Sequence, residues 1–286
     1  MSDARLPDFC IIGSQKSGTS SLWHVLRQHP DLYLPEKKEL NFFFLDREFR
    51  KGLSYYSSYF KEATPKQKCG EVSPGYFCNA RAPERLARVL PSAKLIVILR
   101  DPVHRAYSQY WDNRRWLAER RSFADYLRKP MHQAFKVGRT NYFSRGCYSL
   151  YLKRYLTHFR RDKLLILWFS DLRENPQHVY KQCFDFLGVD DTVDVSTHMA
   201  PVNARSLFNN PFYKFIFHRP KLSRLVPSFI KRLLRFGRQL PFKPEPIPSE
   251  VESKLREFYQ PFDRELAKLT EQSPPWIKTT PSDSIS

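Results

Sequence analysis

The chain has 286 residues, 41% hydrophobic and 15% aromatic, with 48 Lys and Arg against 29 Asp and Glu, a net charge of +19. That length suits one large domain or two small ones with a sizeable core, and that apolar content excludes a disordered polyelectrolyte. The positive balance implies an anionic partner: a nucleotide, a polyanion, nucleic acid or an acidic membrane surface.

In chain order, Phe9 to Gly13 reads as a buried strand and Thr19 to Gln28 as a helix with Leu22, Val25 and Leu26 on one face. A second, shorter candidate strand is interrupted at Glu71-Val-Ser-Pro. Pro83 to Leu90 begins with a proline suited to a first helical turn, and Lys94 to Leu99 (KLIVIL) is the clearest strand. Helices follow over about Val103 to Trp116 and Tyr148 to Phe159, then a strand from Leu164 to Phe169. A helix from Pro176 to Leu187 ends at Gly188, a suitable C-cap. Strands alternating with helices predict an α/β fold, a P-loop-like central parallel sheet flanked by helices in three layers. One domain is expected over 1–286, with its core at about 8–205 and a basic helical C-terminal extension at 206–240.

From Val195 to Pro244 the chain contains no Asp or Glu, and its basic residues interleave with apolar ones at roughly helical spacing. Amphipathic helices packed on the core, a membrane-surface helix and a wall for an anionic substrate all fit this pattern. The Pro-rich stretch PFKPEPIP then precedes a helix at 249–270, and the tail at 273–286 is expected to be flexible. Five scattered cysteines, none in a C-x-x-C pair, argue against zinc ligation or a disulfide framework and fit a reducing compartment. MSDARLPDF has no apolar signal region, and no run reaches the ~18 apolar residues of a membrane span. A cytoplasmic protein is therefore expected, with peripheral contact at the inner face of the membrane through 205–240 as its furthest reach.

Ligands of parallel α/β sheets bind at the carboxyl ends of strands, which directs attention to the loops after Gly13 and Leu99. The first reads DFCIIGSQKSGTSSL. Gly13 and Gly18 have the separation of a nucleotide-triphosphate loop, yet Thr19 follows Gly18 and the lysine, Lys16, sits inside the loop. Ser17, Gly18, Thr19 and Ser20 would offer backbone N–H groups and hydroxyls to an anion at a helix N-terminus, with Lys16 adding a full charge. A plain strand-to-helix connection is the alternative. The second loop reads RDPVHRAYSQY, where Arg100 ends the strand and Ser108 lies two turns into the next helix. Together they would hold a second phosphate by a charge-assisted fork and a hydroxyl.

QKSGTSSL followed by RDPVHRAYSQY resembles the paired signature loops of the sulfotransferases that use 3′-phosphoadenosine-5′-phosphosulfate (PAPS). The likeness extends in order through KKELNFFF, GEVSPGYF, SRGCYSLYLKRYLTHF and LLILWFSDLRENPQHVYKQCFDFLGV, about residues 8 to 205. It is shared with bacterial sulfotransferases and with the sulfotransferase domains of heparan sulfate enzymes. The resemblance implies PAPS as sulfuryl donor, no metal, and an in-line transfer to an acceptor hydroxyl or amine. It implies that Gln15 to Ser20 hold the 5′-phosphosulfate, with Lys16 meeting the charge of the leaving group, and that Arg100 and Ser108 hold the 3′-phosphate. Glu39 matches the glutamate that serves as base in the heparan sulfate relatives, although a surface Glu paired with Lys37 or Lys38 is the alternative. Cytosolic small-molecule relatives use a histidine after the next strand, where this chain has Glu71 to Phe77 without one.

Two positions depart from the heparan sulfate pattern: the histidine after the glutamate is Asn41 here, and a lysine falls at Val72. Both changes remove polar contacts that a sulfated sugar would use. Lys38, Asn41, Ser73 and Tyr76 are expected on the acceptor side. PVNARSL is similar to a segment that closes over the nucleotide, assigning Asn203 and Arg205 to the donor, and Arg145, Gly146 and Tyr148 match another recurring segment. Tyr148 is expected near the nucleotide or, alternatively, as a core aromatic. His24, His29 and His104 are expected to pack or cap helices. The acceptor is left open among glycan, glycolipid, lipid and small molecule. The other functions that fit are a P-loop kinase or NTPase, opposed by the displaced lysine and by Arg100 where a magnesium carboxylate would be useful, and a non-catalytic basic membrane- or polyanion-binding protein. No nucleic-acid-binding motif is present.

Overall fold

The computed structural model describes residues 5–115, 121–127, 142–195, 206–208, 239–241 and 245–277. Five strands, β1 (Phe9–Gly13), β2 (Leu32–Tyr33), β3 (Lys68–Val72), β4 (Lys94–Leu99) and β5 (Leu164–Trp168), form a parallel sheet in the order β2-β3-β1-β4-β5. Parallel pairing needs crossovers, and the helices α1 (Thr19–Leu26), α4 (Ala82–Val89) and α5 (Pro102–Arg115) supply three of them. Short helices α2 (Asp46–Phe49) and α3 (Gly52–Ser57) lie in the connection between β2 and β3. Beyond α5 come α6 (Tyr148–Leu156), α7 (Phe169–Glu174), α8 (Pro176–Leu187) and the long C-terminal α9 (Ser249–Thr270).

Both faces of the sheet are buried, and the period-2 alternation of its strands shows how. Phe9, Ile11, Ile96 and Ile98 face one core with Leu22, Val25 and Leu26 of α1 and Val179, Cys183 and Phe184 of α8. Cys10, Ile12, Leu95, Val97 and Leu99 face the other, with Leu86 of α4, Tyr151 and Tyr155 of α6 and Leu266 of α9. A third apolar cluster joins Val103 and Ala106 of α5, Tyr142, Phe143 and Cys147, and Val251, Leu255 and Tyr259 of α9. Helices on both faces give the three-layer α/β arrangement that the alternation predicted. The strand order reverses direction at β1, whose neighbours are β3 on one side and β4 on the other. The β1–α1 and β4–α5 loops therefore meet at a topological switch point.

Asn175 caps α8, its side chain accepting the His178 N–H, and Gly188 ends it at φ 72°. Lys68 Nζ donates to the carbonyls of Leu187 and Gly188 at 2.6 and 2.9 Å, and Lys94 Nζ donates to that of Phe186 at 2.5 Å. Two lysines thus satisfy the orphan carbonyls at the negative end of the helix dipole.

Two expectations at the C-terminal end need correction. Residues 206–208 and 239–241 are not helical: Ser206–Phe208 and Gln239–Pro241 pair as a two-stranded antiparallel ribbon, here β6 and β7. The stretch between them lies outside the described residues. The tail is also tied down further than expected. Ile277 N donates to Pro274 O at 3.0 Å, and the Trp276 ring packs edge-on to Trp168 with centroids 5.5 Å apart. A half-buried indole packed on Trp168 outweighs the entropy gained by fraying. Among the described residues no helix is long and apolar enough to cross a membrane.

Candidate active site

The β1–α1 loop enters over β4, where the Ser14 N–H donates to Ile98 O at 2.8 Å. Ser14 and Ser17 are buried, with hydroxyls 2.6 Å apart. Gly18 adopts φ +92°, and a Cβ there would lie 2.8 Å from Leu172 Cδ2 and 3.2 Å from Phe169. Only glycine satisfies both the left-handed backbone and the close approach of α7. Thr19 is buried at the head of α1, and the Ser20 hydroxyl accepts from Lys38 Nζ at 2.6 Å. Lys16 has φ 69°, and its ammonium lies 3.3 Å from Asp112 Oδ1, one helical turn beyond Ser108 on α5.

The β4–α5 loop is bolted to this one. Arg100 Nη1 donates to the Lys16 carbonyl at 3.1 Å, and its guanidinium sits 4.7 Å above the centre of the Phe169 ring. Tyr148 Oη donates to the Arg100 carbonyl at 2.7 Å while its ring is 1% exposed, so this residue is a core aromatic with a polar tip in the loop. Asp101 caps α5: Oδ1 accepts from Val103 N at 2.9 Å and His104 N at 3.4 Å. Its Oδ2 faces His104 Nδ1 at 2.8 Å and Arg256 Nη2 of α9 at 2.7 Å. Burial pushes this carboxyl up, but the His104 and Arg256 contacts outweigh it and hold it at about 2. Ser108 is half-buried on the same helix.

Arg145 Nη1 donates to Gln15 Oε1, bringing a further cation to the loop. Gly146 beside it admits Pro102 and Tyr259, whose atoms would lie 2.8 Å from a Cβ. The half-exposed Glu39 carboxylate lies 3.9 Å from Lys38 Nζ. Lys38 itself is shifted down, first by burial and also by the neighbouring charge of Lys16, against the pull of Glu39. Lys38 thus stands between Ser20 of the loop and Glu39, and makes the ion pair expected of a structural role as well.

Glu39 and Asn41 sit in left-handed backbone at φ 60° and 54°. The Glu39 N–H donates to Val72 O at 2.9 Å, and Asn41 Nδ2 donates to the Glu39 carbonyl at 2.9 Å. Ser73 and Tyr76, expected to touch an acceptor, are fully buried. Their hydroxyls accept from the Asn41 N–H at 3.1 Å and the Phe43 N–H at 3.3 Å and donate to Glu71, so they lie beneath the segment rather than on its surface. The expected donor contacts Asn203 and Arg205 lie outside the described residues. The three histidines are structural: His24 packs edge-on against Trp23, His29 Nε2 meets the Asp190 carbonyl at 2.8 Å, and His104 serves Asp101.

Asp112, Glu71 and Arg105 escaped the sequence reading. Asp112 had a legible signal, four residues after Ser108 on the same helix face. Glu71 had one too, as a carboxylate inside an apolar strand. Arg105 is fully buried, with Gln109 and the Tyr142 carbonyl as partners, and nothing in the sequence distinguishes it from a surface arginine of α5.

The cation-bearing loop stands at the switch point of a parallel α/β sheet, and comparison with known proteins identifies the chain's family. The family model for the sulfotransferase domain matches residues 6–211, and the chain belongs to that family. Mouse bifunctional heparan sulfate N-deacetylase/N-sulfotransferase 4 is 29% identical over 96% of this chain, and the human enzyme 1 of that name is 31% identical over 68%. The chain spans only 31% and 24% of those two proteins. Mouse heparan sulfate glucosamine 3-O-sulfotransferase 3B1 is 28% identical, covering 95% of this chain and 65% of that protein. Among solved structures, a sulfotransferase from Alicyclobacillus acidocaldarius superposes with a TM-score of 0.71 at 25% identity, covering 94% of this chain and 97% of that one. Mouse sulfotransferase SULT7A1, complexed with PAP, shares the fold at a TM-score of 0.52 and 18% identity, covering 94% of this chain and 90% of that one.

Proposed function

We propose that the protein moves a sulfuryl group from PAPS to a hydroxyl or amine of a glycan-type acceptor. The observation that carries this reading is the gathering of Lys16, Lys38 and Arg100 around the β1–α1 loop, with the Glu39 carboxylate 3.9 Å from Lys38. The residues fit the donor: amides at the head of α1 suit an anion, and the flanking cations suit two phosphates. PAPS would supply the sulfuryl group and depart as adenosine 3′,5′-bisphosphate. The amides of Ser17 to Ser20 and Lys16 would hold the 5′ end, and Arg100 and Ser108 the 3′-phosphate. Lys16 would leave its Asp112 partner to meet charge developing on the leaving oxygen, the preorganised electrostatics by which transferases lower such barriers. Glu39, accessible and beside Lys38, would take the proton of the acceptor. The glycan class is supported by the names of the heparan sulfate relatives.

The test is transfer of labelled sulfate from PAPS into a panel of de-N-sulfated heparin, heparan sulfate, glycolipids and lipid alcohols, alongside thermal shift with adenosine 3′,5′-bisphosphate and with ATP–Mg²⁺. Labelling of a heparin-type glycan, with stabilisation by the bisphosphate, is expected. Stabilisation by ATP–Mg²⁺ alone would refute the donor, and labelling confined to the lipids would refute the acceptor class.

A further inference from the structure

Glu71 is 1% exposed on β3, one residue before the strand ends, and its hydrogen-bonding partners are hydroxyls. Tyr56 Oη of α3 donates to Oε1 at 2.6 Å, Tyr76 Oη to Oε1 at 2.8 Å, and Ser73 Oγ to Oε2 at 3.0 Å. An ionised carboxylate only accepts, so each hydroxyl spends its single proton there. That fixes the direction of the next bonds. Ser73 Oγ and Tyr76 Oη present lone pairs, and these receive the N–H groups of Asn41 and Phe43. Both amides belong to the turn that carries Glu39, in which Glu39 and Asn41 hold left-handed backbone. Non-glycine residues keep that conformation only where their surroundings over-determine it.

We propose that Glu71 is a positioning residue for sulfuryl transfer, a buried carboxylate that orients Ser73 and Tyr76 so that they clamp the Asn41 and Phe43 amides and hold Glu39 in its turn. The inference rests on the reading of Glu39 as the base. Glu71 reaches no substrate itself. Burial raises its carboxyl to about 7, against the lowering effect of the three hydroxyl bonds. The titratable groups facing it are Cys10 from β1, Tyr56 from α3 and Tyr76 from its own loop, all pushed upward by burial and neutral near that pH. Protonation would give Glu71 a donor of its own and remove the demand that sets the hydroxyls, so the clamp loosens as pH falls through about 7.

Hydrogen exchange at the Asn41 and Phe43 amides reads the clamp directly, without an acceptor. Glu71→Gln should speed exchange at both amides, and Ser73→Ala at the Asn41 amide, by roughly tenfold, the equivalent of one lost buried hydrogen bond. Tyr56→Phe removes a donor to Glu71 that holds no amide and keeps its ring stacked on Phe42, so exchange at 41 and 43 should stay within about twofold. Ser73→Ala should also lower kcat roughly tenfold while affinity for adenosine 3′,5′-bisphosphate is unchanged, and should lower it no further in a Glu39→Gln background. Unchanged exchange in Ser73→Ala, or equal acceleration in Tyr56→Phe, overturns the clamp whatever the activity. Accelerated exchange with normal kcat overturns its role in transfer. Full turnover in Glu39→Gln overturns the base assignment, and with it the reason for a clamp on that turn. Ser73→Ala carries the test if Glu71→Gln does not fold.

Discussion

Replacing Asp101 by asparagine isolates the charge that joins the second signature loop to the C-terminal helix. Asparagine keeps an oxygen for the Val103 and His104 amides at the head of α5, so the cap survives while Arg256 loses its ionic partner and the His104 ring its carboxylate. The carboxyl side chain is 17% exposed, so solvent screening is limited. Its fall from an ordinary 3.8 to about 2 corresponds to roughly 2 kcal/mol at about 1.4 kcal/mol per pKa unit. The folded value is depressed, so this stability is fully present above about pH 4 and is lost as pH falls through about 2. Asp101→Asn should therefore lose about 1–2 kcal/mol at pH 7, about 2–3 °C in Tm for a chain of this size. Urea unfolding at pH 7 and pH 5 should show the same deficit, and the deficit should shrink below pH 4. A double-mutant cycle with Arg256→Met should return a coupling of about 1 kcal/mol, because a partly exposed pair retains less than its ideal value. Equal urea midpoints for wild type and Asp101→Asn at pH 7, or a coupling indistinguishable from zero, would refute the reasoning.

Three other substitutions probe the first loop. Lys16→Ala should cut turnover roughly 10²–10³-fold with Tm essentially unchanged, since the half-exposed pair with Asp112 contributes little to folding; normal turnover in a sulfate-transfer assay would remove Lys16 from the mechanism. Gly18→Ala forces a Cβ to 2.8 Å from Leu172 in left-handed backbone and should cost about 1–3 kcal/mol by denaturant titration, with weaker binding of adenosine 3′,5′-bisphosphate as the loop shifts; wild-type values for both would contradict the tight seating of the loop on α7. Asp112→Asn frees Lys16 from its resting partner and should tighten bisphosphate binding by up to about fivefold in calorimetry, the equivalent of a surface ion pair of about 1 kcal/mol; weaker binding would mean that Asp112 positions the lysine rather than competes for it.

Sheet, helices and loops were legible because their signals are local. β1, β4 and α8 occupy the spans that apolar runs and caps predicted, since a strand buried on both faces leaves little sequence ambiguity. The two-residue β2 and the short α2 and α3 gave no periodic signal long enough to read. Lys16 and Arg100 stood out because spacing next to a strand end reveals a loop's chemistry, and Glu39 only through the resemblance of its segment to the heparan sulfate enzymes. The inward turn of Ser73 and Tyr76 did not. Their sequence positions say only that they follow β3, while their direction is decided by Glu71, whose burial depends on α3 packing from a distant part of the chain. Asp112 and Arg256 act on the loops through tertiary contacts of the same kind.

The long C-terminal helix sets a practical boundary for anyone dividing this polypeptide. Matching to the family stops at residue 211, yet α9 starts at Ser249 and reaches back into what lies before that point. Tyr259 Oη donates to the Phe143 carbonyl at 2.9 Å and its ring fills the space that Gly146 leaves, while Glu265 holds Lys153 of α6 at 2.7 Å. A fragment ended at the edge of the recognised domain would keep every signature residue and lose the wall against which two of the loops are set. Expression boundaries for this chain, and fusion joints made to it, belong beyond Trp276, whose indole packs edge-on against Trp168 at the end of β5.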